Sequence, residues 1–172
     1  ISEFAVYSLL QDLEKTHPSL AITPLIGSIQ DQLFLNKVVD QFAIDTIYHA
    51  AAYKHVPLME RNVMQCISNN VFGTRNMVTA AVAAQVKHFI LVSTDKAVNP
   101  TNFMGASKRL AELVCKDIAA TQNATQIGIV RFGNVFGSSG SVVPAFHRQI
   151  LAGGPITLTH PNIVRFFMSI SE

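Results

Sequence analysis

The residues best suited to chemistry lie in one segment, between positions 94 and 108. Thr94, Asp95 and Lys96 follow the apolar run 88–92 after one serine, Ser93, and Lys108 comes twelve residues after Lys96. A carboxyl group can deliver or remove a proton at an oxygen, and a partly desolvated lysine can lose its proton and act as a base. These residue types predict proton-transfer chemistry, with an exposed Asp–Lys pair of little energetic value as the alternative.

The position of this cluster favours the catalytic interpretation. The run 88–92 predicts a strand buried on both faces, and ligands in open α/β sheets bind outside the carboxyl ends of strands. Met104 and Lys108 are four residues apart in a predicted helix, so they share a face that we expect to be directed toward the same loop. A lysine in the first turns of a helix opposes the helix dipole, so we expect Lys108 to contact a ligand. A solvated helix lysine is the alternative.

A second group of candidates lies between positions 49 and 70. The small residues 50–52 end a predicted strand and would let a flat ligand approach the backbone, while His49, Tyr53, Lys54 and His55 could contact a ligand. Asn70 lies within a predicted helix, where asparagine is a poor helix former. Its amide can hydrogen-bond either a ligand or another part of the protein.

A glycine-rich loop follows the strand predicted at 126–132. Gly133, Gly137 and Gly140 contribute backbone amides that, with the neighbouring serines, could cradle a phosphate. The loop is neither a Walker loop nor a GxGxxG motif, so by itself it predicts only a tight turn. The six histidines show no metal-ligand spacing, and we expect no metal site.

The elements that position these residues alternate along the chain. Helices are predicted at 4–15, around 33–42, and at 57–84, 103–121 and 142–152; strands are predicted at 22–26, 43–52, 88–92, 126–132 and 156–159. This alternation predicts an α/β fold, a doubly wound parallel sheet with right-handed crossovers. The sequence Gly153-Gly154-Pro155 is the obvious seam, so we expect a main domain at 1–152 and the beginning of a smaller substrate-binding lobe at 153–172.

Composition restricts the class of protein further. Of the 172 residues, 49% are hydrophobic and 14% charged, which supports a substantial core and excludes a disordered chain. The net charge of +2 is scattered, so we expect neither nucleic-acid binding nor a basic membrane-binding face. No apolar run has the length of a membrane span, and Cys66 and Cys115 match no metal or CxxC pattern, which indicates a reducing, cytoplasmic compartment. Both ends of the sequence predict a piece of a longer protein.

Five strings of residues carry a family resemblance. They are HAAAYKHVPLME at 49–60, NNVFGTRNM at 69–77, STDKAVNPTNFMGASKRLAE at 93–112, RFGNVFGSSGSVVPAF at 131–146 and THPNIVRFFM at 159–168. The chain thereby resembles the extended short-chain dehydrogenase/reductase superfamily and, within it, the nucleotide-sugar 4,6-dehydratases of polysaccharide biosynthesis. The string at 93–112 is highly specific. The resemblance implies a Rossmann-like fold.

The resemblance implies a reaction. UDP-N-acetylglucosamine or a similar UDP-sugar would become a 4-keto-6-deoxy sugar, with a bound NAD or NADP regenerated in each cycle. By the same resemblance, Thr94 would hydrogen-bond the sugar 4-hydroxyl and Lys108 would hold the nicotinamide ribose. Oxidation at C4 acidifies C5, so Lys96 is the candidate base at C5 and Asp95 the candidate acid at the departing 6-hydroxyl. Coupled neighbours can exchange these roles.

The resemblance also implies which residues contact each ligand. The catalytic set is Thr94, Asp95, Lys96, Met104 and Lys108. The cofactor-binding set is Ala50, Ala51, Ala52, Asn70, Thr94 and Lys108. The substrate-binding set is Lys54, His55, Asn134, Ser138, Ser141 and Arg165. Within it, Asn134 and the 138–141 loop resemble the part that contacts the UDP portion.

Two departures from the superfamily pattern stand out. Its YxxxK motif would place a tyrosine where this chain has Met104, which can neither donate nor accept a proton; the membrane-anchored, capsule-type dehydratases share this methionine. The GxGxxG loop and first strand are absent, and Ser28 stands where the family commonly has an adenine-contacting aspartate. We therefore expect the segment to bind cofactor poorly, and a longer parent, with transmembrane helices in the inner membrane, to supply the missing loop.

Other functions remain open. A UDP-sugar 4-epimerase or a 5-inverting dehydratase would share fold, cofactor and most binding residues, but epimerisation at C4 needs neither an acid at C6 nor a base at C5. A cofactor-free scaffold would have no use for the Thr-Asp-Lys cluster with Lys108. The resemblance further implies a homodimer or higher homo-oligomer, because the family pairs subunits through the helices at 57–84 and 103–121.

Overall fold

The computed structural model describes residues 2–138, 142–158, 161–162 and 164–172. The helices are α1 Glu3–Thr16, α2 Gln32–Phe42, α3 Val56–Glu60, α4 Val63–Ile67, α5 Gly73–Ala83, α6 Phe103–Ala120 and α7 Val142–Leu151. The strands are β1 Thr46–His49, β2 His88–Thr94, β3 Gln126–Phe132, β4 Asn134–Val135 and β5 Phe167–Met168. A π-helical turn, Ser68–Phe72, joins α4 to α5, and a 3-10 turn, Asp95–Ala97, follows β2.

The main sheet is parallel and contains β1, β2 and β3 in that order. His88 pairs with Thr46 on one side and with Gln126 on the other, so the three strands run in register and end at one edge. Helices α3 to α5 connect β1 to β2, and α6 connects β2 to β3. The predicted α/β fold with a Rossmann-like parallel sheet is confirmed. No helix in the described part of the chain is long and apolar enough to cross a membrane.

A second, smaller sheet extends the carboxyl edge of the first. Its strand β4 begins after a single residue, Gly133, beyond the end of β3, and it pairs in parallel with β5. Between them the chain turns at Gly153 and Gly154, which adopt positive φ angles of 87° and 79° that favour glycine. The C-terminal segment thereby packs beside the end of the main sheet, although the proposed division at residue 152 stays a prediction.

The core lies between helices α2, α5 and α6 and one face of the sheet. Phe89 and Leu91 of β2 are fully buried there, in one cluster with Val78 of α5 and Ala111 of α6. On the opposite face the described residues are more accessible: alternate residues of β2 are only partly buried, and Tyr48 of β1 is 76% exposed. The prediction that β2 is buried on both faces is therefore wrong. The described helices cover one face of the strand fully and leave residues on the other face partly exposed.

Three predicted elements differ from the structure. Residues 22–26 form no strand, and neither do residues 156–158, because no described segment forms a ladder with either stretch. The long helix predicted at 57–84 is interrupted at Asn62, whose φ of −135° and ψ of 49° lie outside the helical region, and again by the π-helical turn. The remaining predicted helices and strands occur within a few residues of their expected bounds.

Candidate active site

Strand β2 ends in a polar turn at the carboxyl edge of the sheet. Thr94 Oγ1 donates to Asp95 Oδ1 at 2.9 Å, and Lys96 Nζ donates to the same oxygen at 3.0 Å. The backbone N–H of Lys96 donates to Thr94 Oγ1 at 3.4 Å, which caps the start of the 3-10 turn. The three side chains therefore form one hydrogen-bonded group.

This group holds Asp95 as a carboxylate. Partial burial alone would raise its pKa, but hydrogen bonds from Lys96 and Thr94 outweigh burial, so the pKa of Asp95 lies below its usual range. The carboxyl group can act as an acid only after it receives a proton. Lys96 Nζ lies 3.0 Å from this carboxylate.

Lys108 extends from the second turn of α6 into the protein and is only 6% exposed. Its Nζ donates to the carbonyl oxygen of Val92 at 2.7 Å. Burial lowers the pKa of Lys108, while the nearby Glu112 carboxylate acts in the opposite direction. Within the described residues Val92 is its one hydrogen-bond acceptor, so further N–H groups are available to a ligand. The alternative of a solvated helix lysine is excluded.

A buried ionic cluster, centred on Glu112, lies next to Lys108 along α6. Glu112, one turn after Lys108 on α6, is fully buried and accepts from Ser93 Oγ at 2.6 Å and from Arg131 Nε at 2.7 Å. Its second oxygen accepts from Arg109 at 3.0 Å and again from Arg131. Burial would raise the pKa of Glu112, but these hydrogen bonds lower it to about 2. The cluster joins α6 to the ends of β2 and β3.

Asn70 lies in the π-helical turn and fixes the loop after β1. Its Oδ1 accepts from the backbone N–H of Tyr53 at 2.8 Å, and its Nδ2 donates to the carbonyl of Tyr53 at 3.0 Å. The same Nδ2 donates to Ser107 Oγ of α6 at 3.0 Å. The amide therefore holds the loop that carries Lys54 and His55, and its role in cofactor binding stays a prediction.

A cavity of about 810 Å³ opens beside the polar turn. Most of the residues singled out from the sequence line it: Ala50, Ala52, Lys54, His55, Thr94, Lys96, Met104, Lys108, Asn134, Ser138 and Arg165. Ala51, Asp95 and Asn70 are not in its lining, and Ser141 lies outside the described residues. Among the described residues no three His, Cys, Asp or Glu side chains are grouped as a metal ion would require.

The comparisons with known proteins assign a family to this arrangement. The whole chain, residues 1–172, matches the sequence model of the family described as "Polysaccharide biosynthesis protein". The chain belongs to the polysaccharide biosynthesis protein family. It is 46% identical over 171 residues to "Capsular polysaccharide biosynthesis protein CapD" of Staphylococcus aureus, with 99% of this chain and 28% of that protein covered.

Other members of the group carry names of two activities. The chain is 39% identical over 150 residues to "UDP-N-acetylglucosamine 4,6-dehydratase (inverting)" of Campylobacter jejuni, with 86% of the chain and 44% of that protein covered. It is 42% identical over 149 residues to "UDP-glucose 4-epimerase" of Rickettsia canadensis, with 86% and 43% covered. The chain thus spans less than half of each of these proteins.

Solved structures share the fold of this polysaccharide biosynthesis segment. Pen from Bacillus thuringiensis matches with a TM-score of 0.90 and 35% identity, over 99% of this chain and 52% of that one. DesIV from Streptomyces venezuelae, a dTDP-glucose 4,6-dehydratase solved with NAD and TYD bound, matches with a TM-score of 0.84 and 24% identity, over 93% and 54%. The second match is evidence for the fold alone.

Three residues near the site of this family member were not among the catalytic, cofactor-binding and substrate-binding sets predicted from the sequence. Glu112 lies four positions after Lys108, so helical spacing alone places both on one face of α6. Arg131 is a charged residue inside an otherwise apolar strand, which signals a buried partner. His49 ends β1 and is 4% exposed, and no pairing with another histidine marked it in the sequence.

Proposed function

We propose that this chain is the catalytic segment of a nucleotide-sugar 4,6-dehydratase that acts on UDP-N-acetylglucosamine or a similar UDP-sugar in surface polysaccharide biosynthesis. The observation that carries the proposal is the hydrogen-bonded pair of Asp95 and Lys96 beside a cavity of about 810 Å³. Loss of water requires a base at one carbon and an acid at the departing hydroxyl. The name of the C. jejuni relative supports the dehydratase activity, and the name of the S. aureus relative supports a place in surface polysaccharide biosynthesis.

The residues around the cavity fit a nicotinamide cofactor, NAD or NADP. Lys108 offers buried ammonium N–H groups suited to ribose hydroxyls, and the small side chains of Ala50 and Ala52 leave room for a flat ring. When bound, the nicotinamide accepts a hydride from the sugar and returns it, so no outside oxidant is needed.

Each polar residue of the turn has one task in this proposal. Thr94 hydrogen-bonds the sugar 4-hydroxyl. Lys96, as a free amine, removes the proton at C5. Asp95, as a carboxylic acid, protonates the 6-hydroxyl, which then leaves as water. Proton transfer from Lys96 to Asp95 across their 3.0 Å hydrogen bond produces the free amine and the acid together. After the elimination Lys96 is again an ammonium and Asp95 again a carboxylate.

The test is mass spectrometry of UDP-N-acetylglucosamine incubated in D2O with NAD or NADP, with this segment and with the full-length protein in parallel. We expect the full-length protein to release one water per sugar and to place deuterium at C5, because the Lys96 ammonium exchanges with solvent. The variant Lys96→Ala should stop water loss, while Lys87→Ala, which removes an exposed lysine paired with Asp45, should not. Water loss that survives Lys96→Ala would remove Lys96 from the mechanism.

A UDP-sugar 4-epimerase is the second candidate, favoured by the 42% identity to the R. canadensis protein of that name. It would use Thr94 and Lys108 but would leave Asp95 and Lys96 without a task. The same spectra separate the two activities, since an epimerised sugar keeps its mass and gains no deuterium at C5. A cofactor-free scaffold would also leave the mass unchanged, but it would produce no epimer when the UDP-sugars are separated by chromatography before mass spectrometry.

A homodimer is also part of the proposal. Large apolar side chains stand exposed on the outer surface of α3 to α6, namely Leu58, Met64, Phe72, Phe103, Leu110 and Leu113. A second copy of the chain would cover this surface in the way the family resemblance implies. Light scattering should give a dimer that Leu110→Glu with Leu113→Glu converts to a monomer, whereas Tyr48→Glu, on the exposed sheet face, should leave it intact.

The cytoplasm is the proposed location. Cys66 and Cys115 are buried free thiols, which supports a reducing compartment. A membrane anchor in the longer protein stays a prediction, and fractionation of cells that express the full-length protein would test it.

A further inference from the structure

Lys96 has a second hydrogen-bond acceptor, from a separate element of the fold. Besides Asp95 Oδ1 at 3.0 Å, its Nζ donates to the side-chain oxygen of Asn134 at 3.3 Å. An ammonium group has donors and no acceptor, so the oxygen of the Asn134 amide must face it. The Lys96 nitrogen is thereby held between two fixed oxygens at the edge of the cavity.

The position of Asn134 is itself fixed by backbone pairing. Its N–H donates to the carbonyl of Phe166 at 3.2 Å, and it lies opposite Phe167 in the small sheet of β4 and β5. The preceding residue, Gly133, leaves little space on this side: a Cβ there would lie 3.3 Å from the Phe166 oxygen and 3.7 Å from Asp95 Oδ2. The small sheet therefore brings the C-terminal segment against the Asp95–Lys96 pair.

We propose that Asn134 is a positioning residue for Lys96, and that it favours the ammonium form which Lys96 acquires when it removes a proton from substrate. This inference rests on the proposed function, and it differs from the UDP contact that the family resemblance implies for Asn134. A base accelerates proton removal when its nitrogen is held at the reacting carbon and the charge it gains is met by a prepared acceptor. Asp95 cannot fill this role alone, since it must also hold a proton for the leaving hydroxyl.

The first experiment measures the chemical reactivity of the Lys96 amine in the absence of substrate. Full-length protein is acetylated at pH 8 with acetic anhydride, and the labelling rate of Lys96 is measured by peptide mass spectrometry relative to Lys87, an exposed lysine that directly precedes β2. We expect Asn134→Leu, of similar size but without an acceptor, to raise the relative rate about three- to tenfold, because the ammonium loses one charge-assisted hydrogen bond. Asn134→Asp, which adds a negative charge, should lower it by a similar factor.

The opposite signs distinguish a direct effect on Lys96 from loosened structure, which would raise labelling in both variants. Circular dichroism establishes that each variant is folded. If Asn134→Leu does not fold, the labelling rate of Asn134→Asp alone tests whether residue 134 acts on Lys96. Equal rates for Lys96 in the wild type and both variants, or changes of the same sign, would overturn the inference. A wild-type protein with no dehydratase activity would refute the proposed function alone, because the labelling result does not depend on turnover.

The second experiment separates the steps of the reaction. In single-turnover mixtures, reduction of the nicotinamide reports hydride transfer from C4, and deuterium incorporation reports proton exchange at C5. We expect Asn134→Leu to slow C5 exchange about tenfold or more, while hydride transfer, and KM measured separately at steady state, change less than about threefold. A rise in KM with unchanged C5 exchange would instead assign Asn134 to the UDP contact and overturn its positioning role.

Discussion

Gly105 faces the main-chain carbonyl of Lys96 at a distance that leaves no room for a side chain. A Cβ at position 105 would lie 2.5 Å from the Lys96 oxygen, whereas real Cβ contacts essentially never fall below 3.0 Å. Because Gly105 lies in the first turn of α6, this contact presses the start of the helix against the turn that carries Asp95 and Lys96. The helix and the candidate acid–base pair are thus positioned by one glycine.

Gly105→Ala should therefore lower both stability and turnover. In an exposed helix the change would stabilise the protein by up to about 1 kcal/mol, but here we expect a loss of about 1–3 kcal/mol from overpacking. Gly128→Ala is the matched control, since its new Cβ would meet only the flexible end of Ile90 at 3.0 Å. Urea unfolding of both variants checks the prediction, and equal stability losses would contradict it.

Glu112→Gln should be strongly destabilising. The carboxylate is fully buried and accepts hydrogen bonds from Ser93, Arg109 and Arg131, so the change to a neutral amide leaves the two partly exposed guanidinium groups without their counter-charge and weakens the bond from buried Ser93. Breaking a buried ion pair typically costs about 3–5 kcal/mol. Asp45→Asn, which breaks the exposed pair with Lys87, is the control and should shift the urea midpoint little. Similar urea midpoints for the two variants would show that Glu112 contributes no more to stability than the exposed Asp45–Lys87 pair.

The same carboxylate predicts an acid limit to stability. Its pKa is about 2 in the folded protein, below the ordinary value near 4.5, so the folded state favours the ionised form. This contribution is fully present above pH 4.5 and is lost as the pH falls toward 2. Acid titration followed by circular dichroism should show a steeper loss below pH 4.5 in the wild type than in Glu112→Gln.

The main sheet and the polar turn were predictable because their signals are local. The apolar runs at 88–92 and 126–132 mark β2 and β3, and the polar residues after 92 mark the carboxyl end of β2. The break at Asn62 and the π-helical turn were not predictable, since Asn70 bonds with Tyr53 and Ser107, which are distant in sequence. Long-range contacts of this kind override helix propensity.

The acceptors that hold the site lay beyond the sequence patterns for the same reason. Lys96 meets Asn134 only because β4 pairs with β5, and Arg131 meets Glu112 only because β3 lies in register with β2. Such pairings depend on sheet register, which no spacing within one segment encodes. The helical spacing that links Met104 to Lys108, by contrast, reaches Glu112 one turn further on, so this residue could have been predicted from the sequence to lie on the same helix face.

Met104→Leu should leave turnover within about twofold of the wild type. Met104 is 4% exposed and packs with Met59 and Cys66, and its thioether has no proton to transfer. A swap that conserves volume in such a cluster typically costs less than about 1.5 kcal/mol. Lys108→Met, on the same helix face, is the contrast and should reduce turnover severely, because it removes the buried ammonium. A large loss of turnover in Met104→Leu would give the sulfur a direct role.

His49 should make the folded protein sensitive to mild acid. Thr74 Oγ1 donates its hydrogen to the carbonyl of Asn70 at 2.7 Å, so in the 3.0 Å contact between His49 Nε2 and Thr74 Oγ1 the imidazole must be the donor. Burial, and secondarily the charge of Lys108, lower the pKa of His49 to about 4. The ring is therefore neutral in the folded protein and protonates near pH 6.5 when the chain unfolds.

Between pH 6.5 and 4 the unfolded chain binds more protons than the folded one, so stability falls as the pH is lowered through this range. We expect a loss of about 2 kcal/mol between pH 7 and pH 5 from this one ring. That window lies above the pH at which Glu112 and Asp95 begin to titrate, so urea unfolding at the two pH values isolates the histidine. His49→Gln, which keeps an N–H donor, should abolish most of the difference, and His88→Gln, at an exposed position of β2, should preserve it. A wild-type protein equally stable at both pH values would show that His49 can be protonated without cost in the folded state.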